Sequence, residues 1–79
     1  MDFTREGART VIFETLPGVR EAPADEATFA GDLKAGEPDM QFLLSEFELQ
    51  FGVRFGGGYS PETVGNLITD AEKRYGTRR

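Results

Sequence analysis

Gly36-Glu37-Pro38-Asp39-Met40-Gln41-Phe42-Leu43-Leu44-Ser45-Glu46-Phe47-Glu48-Leu49-Gln50-Phe51-Gly52 carries the clearest helical signal in the chain. Met40, Leu43, Leu44, Phe47 and Phe51 follow the i, i+3, i+4, i+7, i+11 rule and form one apolar stripe. Pro38 suits the first turn, where its missing N–H has no helical partner to lose, and Gly52 suits the left-handed residue that closes a helix. The spacing therefore predicts a helix over 38–51 with that stripe facing a core. Glu37 stands at the positive end of the helix dipole, an arrangement that stabilises by about 0.3–1 kcal/mol. Phe42 and Leu49 lie off the stripe, Phe42 about 100° from Leu43 in projection and Leu49 two turns further along the same strip. Two readings fit the pair. A small bundle with a wide core takes both inside, which is the more ordinary outcome, or both stand exposed and form an apolar docking surface beside Glu46.

Two further helices flank this one. Phe3, Ala8, Val11, Ile12 and Leu16 predict a first helix over 3–16, with Asp2 as its N-cap and Pro17-Gly18 as its stop. Val64, Leu67, Ile68, Ala71 and Tyr75 predict a last one over 61–75, with Ser60 as N-cap, Pro61 at the first position, Glu62 at the positive end and Gly76 closing it. Between the first two helices, residues 17–36 hold Pro23 and five alanines, a long connection that a compact domain orders only by pinning it, and Val19, Phe29 and Leu33 are the candidate pins. Gly56-Gly57-Gly58 reads as a flexible joint that disfavours a helix there.

Composition narrows the chemistry. Seventy-nine residues make a single domain, 1–79, with a core near the lower limit for independent folding. The chain has no Cys and no His, so it lacks disulfides, thiol nucleophiles, imidazole bases and the usual soft metal ligands. No calcium-loop pattern, nucleophile and base pair, or phosphate-cradling glycine loop is present, and the sequence predicts neither an enzyme nor a metal protein. The start Met1-Asp2-Phe3-Thr4-Arg5-Glu6 lacks the basic and apolar regions of a signal peptide, and no apolar run approaches membrane-spanning length, so a soluble cytoplasmic protein is expected. Residues 21–62 carry nine acids against Lys34 and Arg54, a net of −7, while the flanks together are +2. That acidic centre disfavours nucleic acid and favours a protein partner with a basic patch, although a solvated face that only keeps the chain soluble has the same pattern.

The segment Phe29-Ala30-Gly31-Asp32-Leu33 and the residues downstream of it resemble the acyl carrier protein family. In that family Phe-x-x-Asp-Leu leads at fixed distance into Asp-Ser-Leu, whose serine carries a phosphopantetheine arm at the start of the second helix. Phe29, Asp32 and Leu33 match without a gap, and Gly36-Glu37-Pro38 stands where Asp-Ser-Leu belongs. Leu43, Phe47, Glu48, Phe51 and Gly52 then meet the family's Leu-x-x-x-Leu-Glu-x-x-Phe-Gly in the same register, and Thr63-Val64-Gly65-Asn66 resembles the start of the final carrier helix. The resemblance implies an all-α fold: a small acyl-carrier-like bundle of three main helices with a long ordered first loop. The region between Phe51 and Val64 is about two residues short of the family pattern, which implies a reduced third helix.

The attachment position is Glu37, whose carboxylate cannot form the phosphodiester that a serine forms. Thr28 and Ser45 are the nearest hydroxyls in sequence, and neither is expected at a helix start; Ser60 is, but as a cap. The expectation is a non-catalytic carrier-like module with no cofactor, binding a protein partner with a basic or apolar patch through Glu37, Asp39, Phe42, Glu46 and Leu49, with weak self-association as a further use of that face. No nucleic-acid or membrane partner is expected. The alternative is an acyl or peptidyl carrier protein of a biosynthetic pathway with an atypical attachment site.

Overall fold

A computed structural model describes residues 2–19 and 21–77. The ends of the expected 1–79 domain, Met1, Arg78 and Arg79, and the loop residue Arg20 lie outside the described residues. Three helices make up the architecture, α1 (Arg5–Thr15), α2 (Glu37–Phe51) and α3 (Val64–Thr77), and α1 packs against both of the others. The fold is a small all-α bundle with a long ordered first loop and no helix among the described residues between α2 and α3.

α1 begins two residues later than its periodicity suggests. Thr4, in extended backbone at φ −135°, is the cap, and the Gly7 N–H donates to its Oγ1 at 2.9 Å. Asp2, the expected cap, instead accepts the Tyr75 hydroxyl at 3.1 Å and ties the chain start to the end of α3. The helix stops where it should. A residue preceding proline is pushed out of the helical region, and Leu16 before Pro17 is extended at φ −85°, ψ 122°.

α2 is capped at both ends by its own sequence. The Asp39 carboxylate reaches back to accept the Gly36 N–H at 3.1 Å. Pro38 sits in the first turn. Gly52 adopts φ 71°, ψ 24°, the left-handed geometry that glycine reaches without a Cβ penalty, and its N–H donates to the Glu48 carbonyl at 2.9 Å.

α3 departs most from expectation. Ser60-Pro61-Glu62 precedes it as non-helical chain, and the cap is Thr63. The Asn66 N–H donates to Thr63 Oγ1 at 3.1 Å while the Thr63 N–H donates to Asn66 Oδ1 at 3.3 Å, a reciprocal box. The preceding residues have other partners. The Phe29 N–H donates to the Glu62 carbonyl, the Val64 N–H to the Ala27 carbonyl and the Gly65 N–H to the Asp25 carbonyl, at 3.0, 3.0 and 2.8 Å. The first loop thus lies antiparallel on the start of α3, with one β-bridge between Thr28 and Thr63. That pairing takes residues 61 to 63 out of the helix, and at the other end α3 runs through Gly76 to Thr77.

The same contacts convert residues 17–36 from a connection into a strap. Phe29 is buried in the core, with Leu33, Ala35, Val19 and Ala27 packed against it as partly buried residues. Asp32 accepts the Thr28 N–H at 2.9 Å, and Thr28 Oγ1 accepts the Gly31 and Asp32 N–H groups, so the turn between Phe29 and Leu33 is closed by its own side chains. Arg9 of α1 donates to the Pro23 carbonyl and pairs with Asp25, holding the strap from the other side. Gly65 is required at the crossing: a Cβ there would meet Asp25 Cβ and its carbonyl oxygen at 3.1 Å.

The core is a continuous set: Ala8, Val11, Ile12 and Leu16 from α1, Leu43, Phe47 and Phe51 from α2, Val64, Leu67, Ile68 and Ala71 from α3, with Phe29, Val53 and Phe55 from the connections. Phe47 meets Phe51 edge to face at 5.4 Å and Phe55 at 6.3 Å; Phe51 meets Phe3 at 5.1 Å. Full burial of each such ring stabilises by about 1.5–3 kcal/mol, with about 0.5–1.5 kcal/mol more for a favourable ring pair.

Candidate functional site

α2 presents two sides. Leu43, Phe47 and Phe51 point inward, and the opposite line at roughly 100° per residue is Pro38, Phe42, Ser45 and Leu49. Phe42 is 58% exposed and Leu49 80%. The wide-core reading of this pair is therefore wrong. The room it would have filled is taken by Val53, Phe55 and Phe29, which enter from outside the helices and complete the core without them.

Of the other expected site residues, Glu46 shares that face between Phe42 and Leu49, half-buried, and its Oε2 accepts Gln50 Nε2 at 3.1 Å. Asp39 is half-buried on the adjoining flank and is occupied as the cap of α2. Glu37 stands apart. It is exposed in the first turn of α2, roughly 140° from Phe42 around the axis, and borders a different surface, an open groove lined by Phe29, Ala35, Met40, Ser60 and Pro61. The structure thus gathers Phe42, Glu46 and Leu49 on one face with Asp39 at its edge, and leaves Glu37 on the other side.

Sequence spacing did not place Ser60 near Glu37, since 23 positions separate them. The strap brings them to one groove: by taking residues 61 to 63 out of α3 it leaves Ser60 as an exposed hydroxyl beside the start of α2. Thr28 lines the groove as well, but its hydroxyl is engaged by the turn it closes. Ser45 lies mid-helix on the outer line of α2.

A second cluster joins the glycine segment to α3. Phe55 and Tyr59 stack at 4.8 Å with 9° between planes, and the Arg74 guanidinium lies 5.2 and 4.9 Å from the two ring centres. The Tyr59 hydroxyl donates to Asp70 at 2.6 Å. Burial first, then that hydrogen bond and the carboxylate's charge, push the Tyr59 phenol well above its ordinary range, against the opposing pull of Arg74. The cluster fixes the chain after Gly56 and Gly58, both at positive φ. The alternation Phe51-x-Val53-x-Phe55 was the signal for this inward-facing segment, masked by the glycines after it.

Among the described residues, no group of three or more acids is placed to hold a metal ion, and no helix is long and apolar enough to cross a membrane. No family model matches the chain, and neither a curated protein nor a solved structure shows significant similarity to it.

Proposed function

We propose that this chain is an acyl carrier protein-like domain that works without a phosphopantetheine arm, as a non-catalytic cytoplasmic module that binds another protein through α2. The exposure of Phe42 and Leu49 on the side of α2 opposite the core carries this reading, because an aromatic and a leucine left in water seven positions apart on one face suit a docking surface. The strap supports the carrier likeness: Phe29 anchors it, Asp32 locks its turn and Leu33 packs against the core, so each residue that resembles the family motif has a structural task that positions the start of α2. Glu37 in the first turn of that helix favours the dipole and offers no hydroxyl for attachment.

A second reading has an observation of its own. Ser60 is an exposed hydroxyl on the groove that Glu37 borders, which favours a carrier with an atypical attachment residue. One experiment separates the two. The chain is incubated with coenzyme A and a broad-specificity phosphopantetheinyl transferase and weighed intact. The module reading expects no added mass on the parent, and a gain on Gly36→Asp/Glu37→Ser/Pro38→Leu, in which the family attachment sequence is restored. A gain on the parent, mapped by peptide mass to Ser60, would establish the carrier instead.

A further inference from the structure

The outer line of α2 is apolar and is framed by acids on both sides. Around the helix axis Phe42 and Leu49 occupy the centre of the exposed face, with Asp39 and Glu46 on one flank and Glu37 and Glu48 on the other. Residues 37–51 contain those four acids and no Lys or Arg, and the nearest base in sequence on the C-terminal side, Arg54, lies beyond the end of the helix. An apolar ridge between two acidic rows has a definite complement. It is a helix with its own apolar stripe and a basic row on either side, laid along α2 so that ridge meets ridge and each row of carboxylates faces cations. Phe42 and Leu49 are about 10 Å apart along the axis, two turns, which sets the minimum length of such a partner.

The alternatives are opposed by the same charges. A symmetric pair of copies would bring two sets of four carboxylates together, and an anionic membrane surface would be repelled by the acids that flank the apolar line. Resting on the interaction-module reading above, we propose that the occupant of the α2 face is a basic amphipathic helix of a partner protein, seated on Phe42 and Leu49 and oriented by the flanking acids.

The test uses the full chain and a fluorescein-labelled helical peptide with leucines at i, i+4 and i+7 and lysines in the two adjoining rows, read by anisotropy. Its control is the isomer with glutamate at every lysine position. The lysine peptide is expected to bind and the glutamate isomer not to. Phe42→Asp/Leu49→Asp should weaken binding about tenfold or more, as loss of central apolar anchors does. That variant adds two negative charges, so an encounter driven by charge alone would tighten instead. Glu37→Gln/Glu46→Gln, which leaves the Asp39 cap and the Glu48 contact to the Phe55 N–H untouched, should weaken binding and flatten its salt dependence. Equal binding of both peptides, or unchanged or tighter binding by Phe42→Asp/Leu49→Asp, overturns the proposal. So does light scattering that shows a dimer abolished by that variant, or binding of the parent to phosphatidylserine vesicles, since either gives the face another occupant. Any of these results alongside an intact mass that stays unmodified removes the basic helix and leaves the armless module, whereas an added arm on the parent removes the module itself.

Discussion

Tyr59 shows how one side chain holds a glycine-rich segment in place. Its ring stacks on Phe55, its hydroxyl donates to Asp70 on α3, and Arg74 lies over both rings, so three residues around Gly56-Gly57-Gly58 fix chain that its own composition leaves free. The neutral phenol is the form this site favours, because ionisation would put a second anion beside the Asp70 carboxylate in a partly desolvated position. The folded pKa is raised above the unfolded value of about 10, so the stability that Tyr59 contributes is fully present below pH 10 and is lost as pH climbs toward the folded value. Urea midpoints should therefore be level through neutral and mildly alkaline pH and fall above about pH 10. Tyr59→Phe should start from a lower midpoint, having lost the hydrogen bond, and show a shallower alkaline fall. Parallel curves for the two proteins would exclude a role for this phenol.

At the scale of elements, the start of α3 separates two kinds of sequence signal. Ser60-Pro61-Glu62 has cap, proline and acid in the order that opens a helix, and Thr63-Val64-Gly65-Asn66 has a cap with a reciprocal partner three positions on. The structure uses the second, because the strap needs the Glu62 carbonyl and the Thr63 backbone for pairing. Thr63→Ala should accordingly cost about 1 kcal/mol, as loss of a hydroxyl cap does, while Ser60→Ala at an exposed, non-helical position should change stability by less than about 0.5 kcal/mol. Chemical denaturation of the two variants decides between the starts, and the reverse order would restore Ser60 as the cap. Local signals of this kind were readable for the interiors of all three helices and for the ends of α2, where propensity, capping and apolar period agree. They failed at Asp2, Ser60 and Gly76, where a partner distant in sequence or the run of the helix itself sets the end. The exposure of Phe42 and Leu49 was beyond them too, since it results from Phe29, Val53 and Phe55 having filled the core from segments with no helical period. The acidic rows of α2 were legible in composition. Their placement around an apolar line required the knowledge of which side of the helix faces in.

Across the whole molecule the strap makes three short helices into one unit. α1 grips it through Arg9 at Pro23 and Asp25, α3 pairs with it through the backbone at Asp25, Ala27 and Phe29, and Phe29 reaches the shared core. A loop tethered only at its ends would melt before the helices, because its ordering entropy of about 1–2 kcal/mol per residue has little to offset it. A strap whose central ring is part of the core should melt with them. Two probes on one sample test this. Helix content is followed by far-UV circular dichroism, and strap exposure by proteolytic cleavage within residues 21–35 during the same thermal ramp. The two transitions are expected to coincide. Phe29→Ala should lower stability by about 3–5 kcal/mol, most of what a domain of this size has, and shift both transitions together. Early cleavage of the strap with helix content unchanged, in either protein, would mean that α1, α2 and α3 hold together without it, and the start of α2 would then have no fixed position relative to Ser60 and the groove they share.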